Sequence, residues 1–343
     1  MGACAPKPPV RSRPTLFVAG KNGKAGYIDA KGAVKIPLVF DGADGFSEGL
    51  AAVGVGNSYG IIDRHGQWVH KPQYVSISMF SEDRAVACIS GNPFMRGAQF
   101  VVIDRKGNRV SDESYDFISS FSEGLACVRI GQRYGYINKQ GKLAIQPMFD
   151  GASDFYEGLA GVGFGTGDTS RWGYVDKSGQ LAISPKYQSA GHFSEGLAAV
   201  GLSGKVGFID EAGKIVIPMQ FSDAGDFSEG LAVVAVGDNA MDSLNEGYID
   251  RTGKMVIPPK FGSVFPPDAA DFSDGIAVVC IQKCDTGDSV KDDKRLGYIR
   301  HNGSFFLPPA FGGALPFAGD LAQACLNGKC GWINHSGHFV WTD

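Results

Sequence analysis

One short motif returns along the whole chain. Gly207-Phe208-Ile209-Asp210 recurs as Gly26-Tyr27-Ile28-Asp29, Gly60-Ile61-Ile62-Asp63, Gly135-Tyr136-Ile137-Asn138, Gly173-Tyr174-Val175-Asp176, Gly247-Tyr248-Ile249-Asp250, Gly297-Tyr298-Ile299-Arg300 and Gly331-Trp332-Ile333-Asn334. A degenerate copy, Val101-Val102-Ile103-Asp104, brings the number to nine. A second signature, Phe-Ser-Glu-Gly-Leu-Ala, begins at Phe46, Phe121, Phe193 and Phe227, with variants from Phe80, Phe155, Phe272 and Phe317. The shortest spacing between successive motif ends is 34 residues, as from Asp29 to Asp63. A unit this small has no room for a core of its own, so the copies must stack and bury one another's apolar faces.

Each unit reads as strands. Leu197-Ala-Ala-Val-Gly is one short run, Lys205–Asp210 a second and Lys214–Ile217 a third, which Pro218 is expected to stop. Asp210-Glu-Ala-Gly213 joins the last two as a tight turn, in which Asp bonds the backbone two residues on and Gly takes positive φ. Glycine, 49 residues of 343, stands at about twice its usual share of ~7%. With proline it leaves no stretch long enough for a helical period. The spacing therefore predicts an all-β chain of nine three-stranded antiparallel meanders over 16–343, preceded by a proline-rich extended tether over 1–15.

These motifs resemble those of the WG-repeat (KWG-repeat) family of bacterial proteins, whose unit combines Gly-aromatic-Ile-Asp, a Gly-Lys turn, Val-Ile-x-Pro and Phe-x-Glu-Gly-Leu-Ala. The resemblance spans about 16–341. It departs at the aromatic, which is Trp in the family motif and here only at Trp332. It identifies a repeat and implies no activity. Nine units of three strands, with no spare strand at either end, favour an open superhelical stack; a closed propeller-like ring is the alternative.

Within the unit, the Phe of Phe-Ser-Glu-Gly is the expected plug between copies. The recurrent ring at Tyr27, Tyr136, Tyr174, Phe208, Tyr248, Tyr298 and Trp332 reads as core packing; exposed, it would instead form a ladder for sugars. Glu48, Glu82, Glu123, Glu157, Glu195, Glu229 and Asp274 form a column of acids, each expected to accept backbone N–H groups of its own turn.

Several function classes find no support. A balance of 32 basic and 36 acidic residues, net −4, gives no footprint for duplex nucleic acid, and no apolar run spans a bilayer. The histidines (His65, His70, His192, His301, His335, His338) sit in turns and links without a nucleophile or paired carboxylate at matching phase, and no catalytic elbow or phosphate loop occurs. No enzyme and no cofactor are expected. Cys325 and Cys330 flank a four-residue turn and are the disulfide candidate; with His335 and His338 they match no standard zinc spacing, so no metal is expected. Gly2-Ala3-Cys4 is similar to the end of a bacterial lipoprotein processing site. That makes Cys4 a lipid-attachment candidate and favours the cell envelope, as a periplasmic or outer-membrane lipoprotein, with secretion and the cytoplasm left open.

The copies disagree in one place. From the first strand's Leu to the second strand's Gly, units 1, 2, 4, 6 and 9 span 10 residues, whereas units 3, 5, 7 and 8 span 17, 14, 16 and 21. Insertions in one loop of a stacked unit emerge on one edge, where binding surfaces are often built. The candidates are Asn92, Phe94, Met95 and Arg96; Asp168, Arg171 and Trp172; Asp238, Met241 and Asp242; and Asp288, Lys291, Asp292, Lys294 and Arg295. The expected function is a non-enzymatic scaffold that binds another protein through these loops. A glycan- or peptidoglycan-binding module and the targeting part of a secreted effector are the alternatives.

Overall fold

The computed structural model describes residues 15–237, 246–262, 270–281 and 296–342. The chain divides into two compact units, residues 1–185 and 186–343. Both are built of small antiparallel sheets in strict chain order.

In the first unit, β1 (Phe17–Lys21), β2 (Lys24–Ile28) and β3 (Val34–Phe40) form sheet 1. Sheet 2 is β4 (Gly42–Ala43), β5 (Leu50–Val55), β6 (Ser58–Asp63) and β7 (Trp68–Tyr74). Sheet 3 is β8 (Ser76–Ile77), β9 (Arg84–Ser90) and β10 (Gln99–Asp104). Sheet 4 is β11 (Phe117–Ile118), β12 (Leu125–Ile130), β13 (Arg133–Asn138) and β14 (Leu143–Phe149). Sheet 5 is β15 (Gly151–Ala152), β16 (Leu159–Phe164), β17 (Arg171–Asp176) and β18 (Leu181–Tyr187).

The second unit continues with β19 (Ser189–Ser194), β20 (Leu197–Leu202), β21 (Lys205–Ile209) and β22 (Ile215–Phe221) as sheet 6. Sheet 7 is β23 (Asp223–Ala224), β24 (Leu231–Ala235), β25 (Glu246–Asp250) and β26 (Met255–Phe261). Sheet 8 is β27 (Ile276–Cys280), β28 (Leu296–Arg300) and β29 (Phe305–Phe311). Sheet 9 is β30 (Gly313–Ala314), β31 (Leu321–Leu326), β32 (Lys329–Asn334) and β33 (Phe339–Thr342).

The complete repeat thus has four strands, not three: a very short first strand precedes the meander read from sequence. Four strands per unit is the blade of a propeller. The count of three strands, on which the open superhelical stack rested, is thereby corrected. The proline expectation is also corrected. The outer strand β22 runs on through Pro218 to Phe221. An edge strand tolerates proline because its missing N–H falls outside the ladder or at a bulge, and here the register slips on both sides of the Phe208–Ile217 pair.

That bulge explains the glycine of the motif. It brings the outer strand's backbone over the middle of the third strand, and a Cβ built on Gly207 would stand 2.6 Å from the Ile217 carbonyl oxygen. On Gly135 it would stand 2.5 Å from that of Ile145. No side chain fits. The central strands are buried almost end to end, as in Leu50–Gly54 and Gly60–Ile62. The outer strands alternate, with only Ile217 and Phe221 of β22 fully buried. A sheet buried on both faces in its middle and wet at its rim has a neighbour on each face.

Sheet 3 departs from this plan. Its second and third strands pair with a register shift between Gln99 and Phe100, and the outer strand is reduced to isolated bridges at Arg109 and Tyr115. Ser111 takes the place that Ile145 or Ile217 holds elsewhere, is buried, and accepts the Val102 N–H on its hydroxyl at 3.1 Å.

Candidate interaction edge

Each sheet has two ends with different chemistry. At one lie the Phe-Ser-Glu-Gly hairpin and the Asp-x-x-Gly turn; at the other lies the loop between the second and third strands.

The first end is a joint between sheets. Glu123 and Gly124 both take positive φ, 53° and 89°, and Ser122 and Leu125 exchange two backbone bonds of 2.9 and 3.1 Å. This is the two-residue hairpin whose twist suits flanking strands. Left-handed backbone costs a glutamate about 1–2 kcal/mol relative to glycine. Its carboxylate supplies the reason to keep it, accepting the Gly158 N–H of sheet 5 at 2.9 Å and pairing with Lys177 there at 3.0 Å. Ser122 Oγ donates to the Phe155 carbonyl at 2.6 Å. Phe155 is buried 4.8 Å from the Tyr136 ring of sheet 4, and Tyr136 Oη donates to the Ser153 carbonyl at 2.7 Å.

The same joint repeats. Glu48, Glu82, Glu195 and Glu229 accept N–H groups from the following hairpin, at Glu82 and Asp83, Gly124, Gly230 and Gly275 respectively. These five acids therefore cap the next sheet's turn and not their own, which corrects the expectation from sequence. The rings at Tyr27, Tyr136, Tyr174, Phe208, Tyr248 and Tyr298 are buried. They are core, as the sequence indicated, and no exposed ladder for sugars exists at these positions.

The Asp-x-x-Gly turn is also local chemistry. Asp176 Oδ1 accepts the Ser178 and Gln180 N–H groups at 2.9 and 3.0 Å. The Ser178 hydroxyl, followed by these N–H groups, holds the Asp176 carboxyl below the ordinary carboxylate range. A depressed folded pKa means stability present above the unfolded value, ~3.9, and lost as pH falls through the folded value. Asn138 makes the same two bonds without a charge. Asp176→Asn should therefore keep the fold and flatten the acid limb of denaturant midpoint against pH; an unchanged limb would contradict this.

The other end carries the insertions. Plain units close with a tight turn, as Gly131-Gln132 does between β12 and β13, and Asp116 Oδ2 accepts the Gly131 N–H at 2.8 Å. In sheet 3 the loop leaves at Gly91 and returns at Ala98. Its neck is pinched: a Cβ on Gly91 would lie 2.8 Å from the Ala98 Cα. Asn92 Oδ1 accepts the Phe94 N–H at 3.0 Å, and its carbonyl accepts the Met95 N–H at 2.9 Å. Phe94 is 95% exposed, Met95 is 68% exposed, and Arg96 is exposed beside them.

In sheet 5, Asp168 lies exposed in a single 3-10 turn (Gly167–Thr169), and exposed Arg171 donates to the carbonyls of Asp168 and Ser170 at 3.0 and 2.7 Å. Trp172 is not a loop tip. It belongs to β17 and is half-buried, its indole lying against Gly163 and Gly151. Asp238, Met241, Asp242, Asp288, Lys291, Asp292, Lys294, Arg295 and Cys4 lie outside the described residues. No repeat signature singles out Gln99, Ser114 and Asp116. Gln99 Nε2 donates to Asp116 at 3.1 Å, and Ser114 Oγ donates to Gln99 Oε1 at 2.8 Å, fixing the loop's returning foot.

Cys325 and Cys330 face each other across β31 and β32 and form a disulfide, and Cys280 is also disulfide-bonded. Cys88 and Cys127 are buried free thiols. Burial, followed by the Asp154 charge, pushes the Cys127 thiol up to about 12, so the reactive thiolate is scarce. Maleimide labelling of Cys127 should wait for unfolding; rapid labelling of the native chain would contradict the burial.

Among the described residues no group of His, Cys, Asp and Glu is arranged to hold a metal, and no helix is long and apolar enough to cross a membrane. The model of the WG containing repeat matches residues 26–58, 59–92, 102–134, 134–165, 172–205, 207–239, 247–283 and 297–330. The chain is a member of the WG-repeat family. No curated protein matches it. Among solved structures, the WG-repeat chain resembles a eukaryotic initiation factor at 10% identity, covering 96% of each chain with a TM-score of 0.63. That likeness shows a shared fold and nothing of activity. AztD from Citrobacter koseri, at 12% identity over 84% of this chain and 91% of that one, gives 0.45. The β-propeller domain of the Trilobed protease from Pyrococcus furiosus, at 10% identity over 85% and 97%, gives 0.39. The last two superpose loosely.

Proposed function

We propose that this WG-repeat chain is a non-enzymatic scaffold that binds another protein through the loops between the second and third strands, with Cys4 as a lipid attachment that holds it at a bacterial cell envelope. The observation that carries the binding reading is Phe94, almost fully exposed on a loop that other sheets replace by a tight turn. An exposed aromatic and Met on a polar loop is the composition of a protein contact. The Asp-x-x-Gly and Phe-Ser-Glu-Gly residues support it from the other side, because the first are occupied in their own turns and the second in joining sheets.

The test replaces Gly91–Ala98 with the Gly131-Gln132 turn. Host protein should be retained by the native chain and lost by the shortened one at equal thermal stability. Retention by isolated peptidoglycan, unaffected by the loop, would favour the glycan alternative. Acylation of Cys4 is tested separately, by lipid labelling of the chain with Cys4→Ser as control.

A further inference from the structure

The loop of sheet 3 is more than an insertion on an edge. Three consecutive side chains at its tip, Phe94, Met95 and Arg96, point away from the fold, and no hydrogen bond or ion pair ties Arg96 to any described residue. The loop that presents them is held at three places: the neck at Gly91 and Ala98, the turn at Asn92, and the foot at Gln99. Such a loop has its backbone ordered before it meets a ligand, which leaves only the tip side chains to be fixed on binding. Around its base, Ile89 and Phe117 (39% and 40% exposed) and Ile130 add apolar surface near the same end of sheets 3 and 4.

We infer that Phe94-Met95-Arg96 is an insertion anchor for a partner protein that offers an apolar pocket bordered by carboxylates. This rests on the scaffold reading and narrows it to one loop and one partner chemistry. A protruding tip demands a concave ligand. The apolar pair fills it, and the guanidinium beside the pair, which has no partner among the described residues, selects an acidic rim, since Arg binds carboxylates in a bidentate fork. A membrane is the other surface that receives apolar tips. Here a single cation accompanies the tip and the whole chain carries −4, so an anionic bilayer would lend no electrostatic attraction.

The test pans the full chain against a displayed library of disulfide-closed peptides and measures enriched peptides by calorimetry, with anionic phospholipid vesicles in a parallel arm. Enriched peptides should combine aromatic or aliphatic residues with Asp or Glu. Phe94→Ser and Arg96→Glu should each weaken them about tenfold or more, with Val69→Ser, an exposed apolar change elsewhere, without effect. Peptides indifferent to Phe94→Ser would overturn the anchor, as would peptides lacking acids, or vesicles that sediment the native chain but not Phe94→Ser. If binding ignores Phe94 but falls with Arg171→Ala, the anchor fails while the scaffold reading stands. If binding ignores both loops, both fail.

Discussion

Phe155→Ala is expected to lower the unfolding free energy by about 3–5 kcal/mol, the cost of emptying a fully buried aromatic site. The ring is buried between Tyr136 of sheet 4 and its own hairpin, and its carbonyl is the acceptor for Ser122. Removing it therefore opens a cavity at a joint and not inside one sheet. Chemical denaturation reads the effect, and a loss under ~1 kcal/mol would show that the plug is not packed as described. Phe227, 4.9 Å from Phe208 in the second unit, should behave alike. Phe46, only half-buried against Tyr27, should cost less.

Gly207→Ala is expected to cost about 3 kcal/mol, at the upper end for overpacking. One methyl is ordinarily harmless in a strand, and Gly207 has no unusual φ to protect. The loss comes from the Ile217 carbonyl, 2.6 Å from where the methyl would be, with Pro218 behind it. All the atoms it would meet are backbone, which leaves nothing flexible to yield. A stability change near zero would show that the bulge can retreat. By contrast, Glu123→Ala removes a half-buried cap and should cost about 1 kcal/mol. A double-mutant cycle with Lys177 would show only a few tenths more, because that ion pair is largely in water.

What was legible in the sequence was whatever a unit repeats within itself. The hairpin turns, the buried ring before Ile, the Phe plug and the loop that varies all follow from residues close in the chain. What was missed involves either very short elements or the neighbouring sheet. Gly42–Ala43 and Gly151–Ala152 are strands of two small residues, too brief to show an alternating pattern, so the four-stranded blade looked three-stranded. Pro218 read as a stop because sequence does not reveal which edge of a strand is free. Glu123 read as serving its own turn because the Gly158 N–H that it accepts lies in the next copy. Trp172 reads as a loop residue because the inserted loop of sheet 5 ends two residues earlier than the spacing suggests, where β17 begins at Arg171. At the interaction edge, exposure of Phe94 and Met95 was foreseeable from their polar surroundings. The Gln99–Asp116 clasp was not, since it joins residues 17 apart through a stretch where the repeat is degenerate.

The central claim is that neighbouring sheets sustain one another through the Phe-Ser-Glu-Gly joint, and amide hydrogen exchange of Phe155→Ala tests it most directly. Protection should fall together in the central strands on both sides of the altered joint, Leu125–Ile130 and Arg133–Asn138 of sheet 4 and Leu159–Phe164 and Arg171–Asp176 of sheet 5. Loss of protection confined to sheet 5, with sheet 4 as slow to exchange as in the native chain, would contradict it.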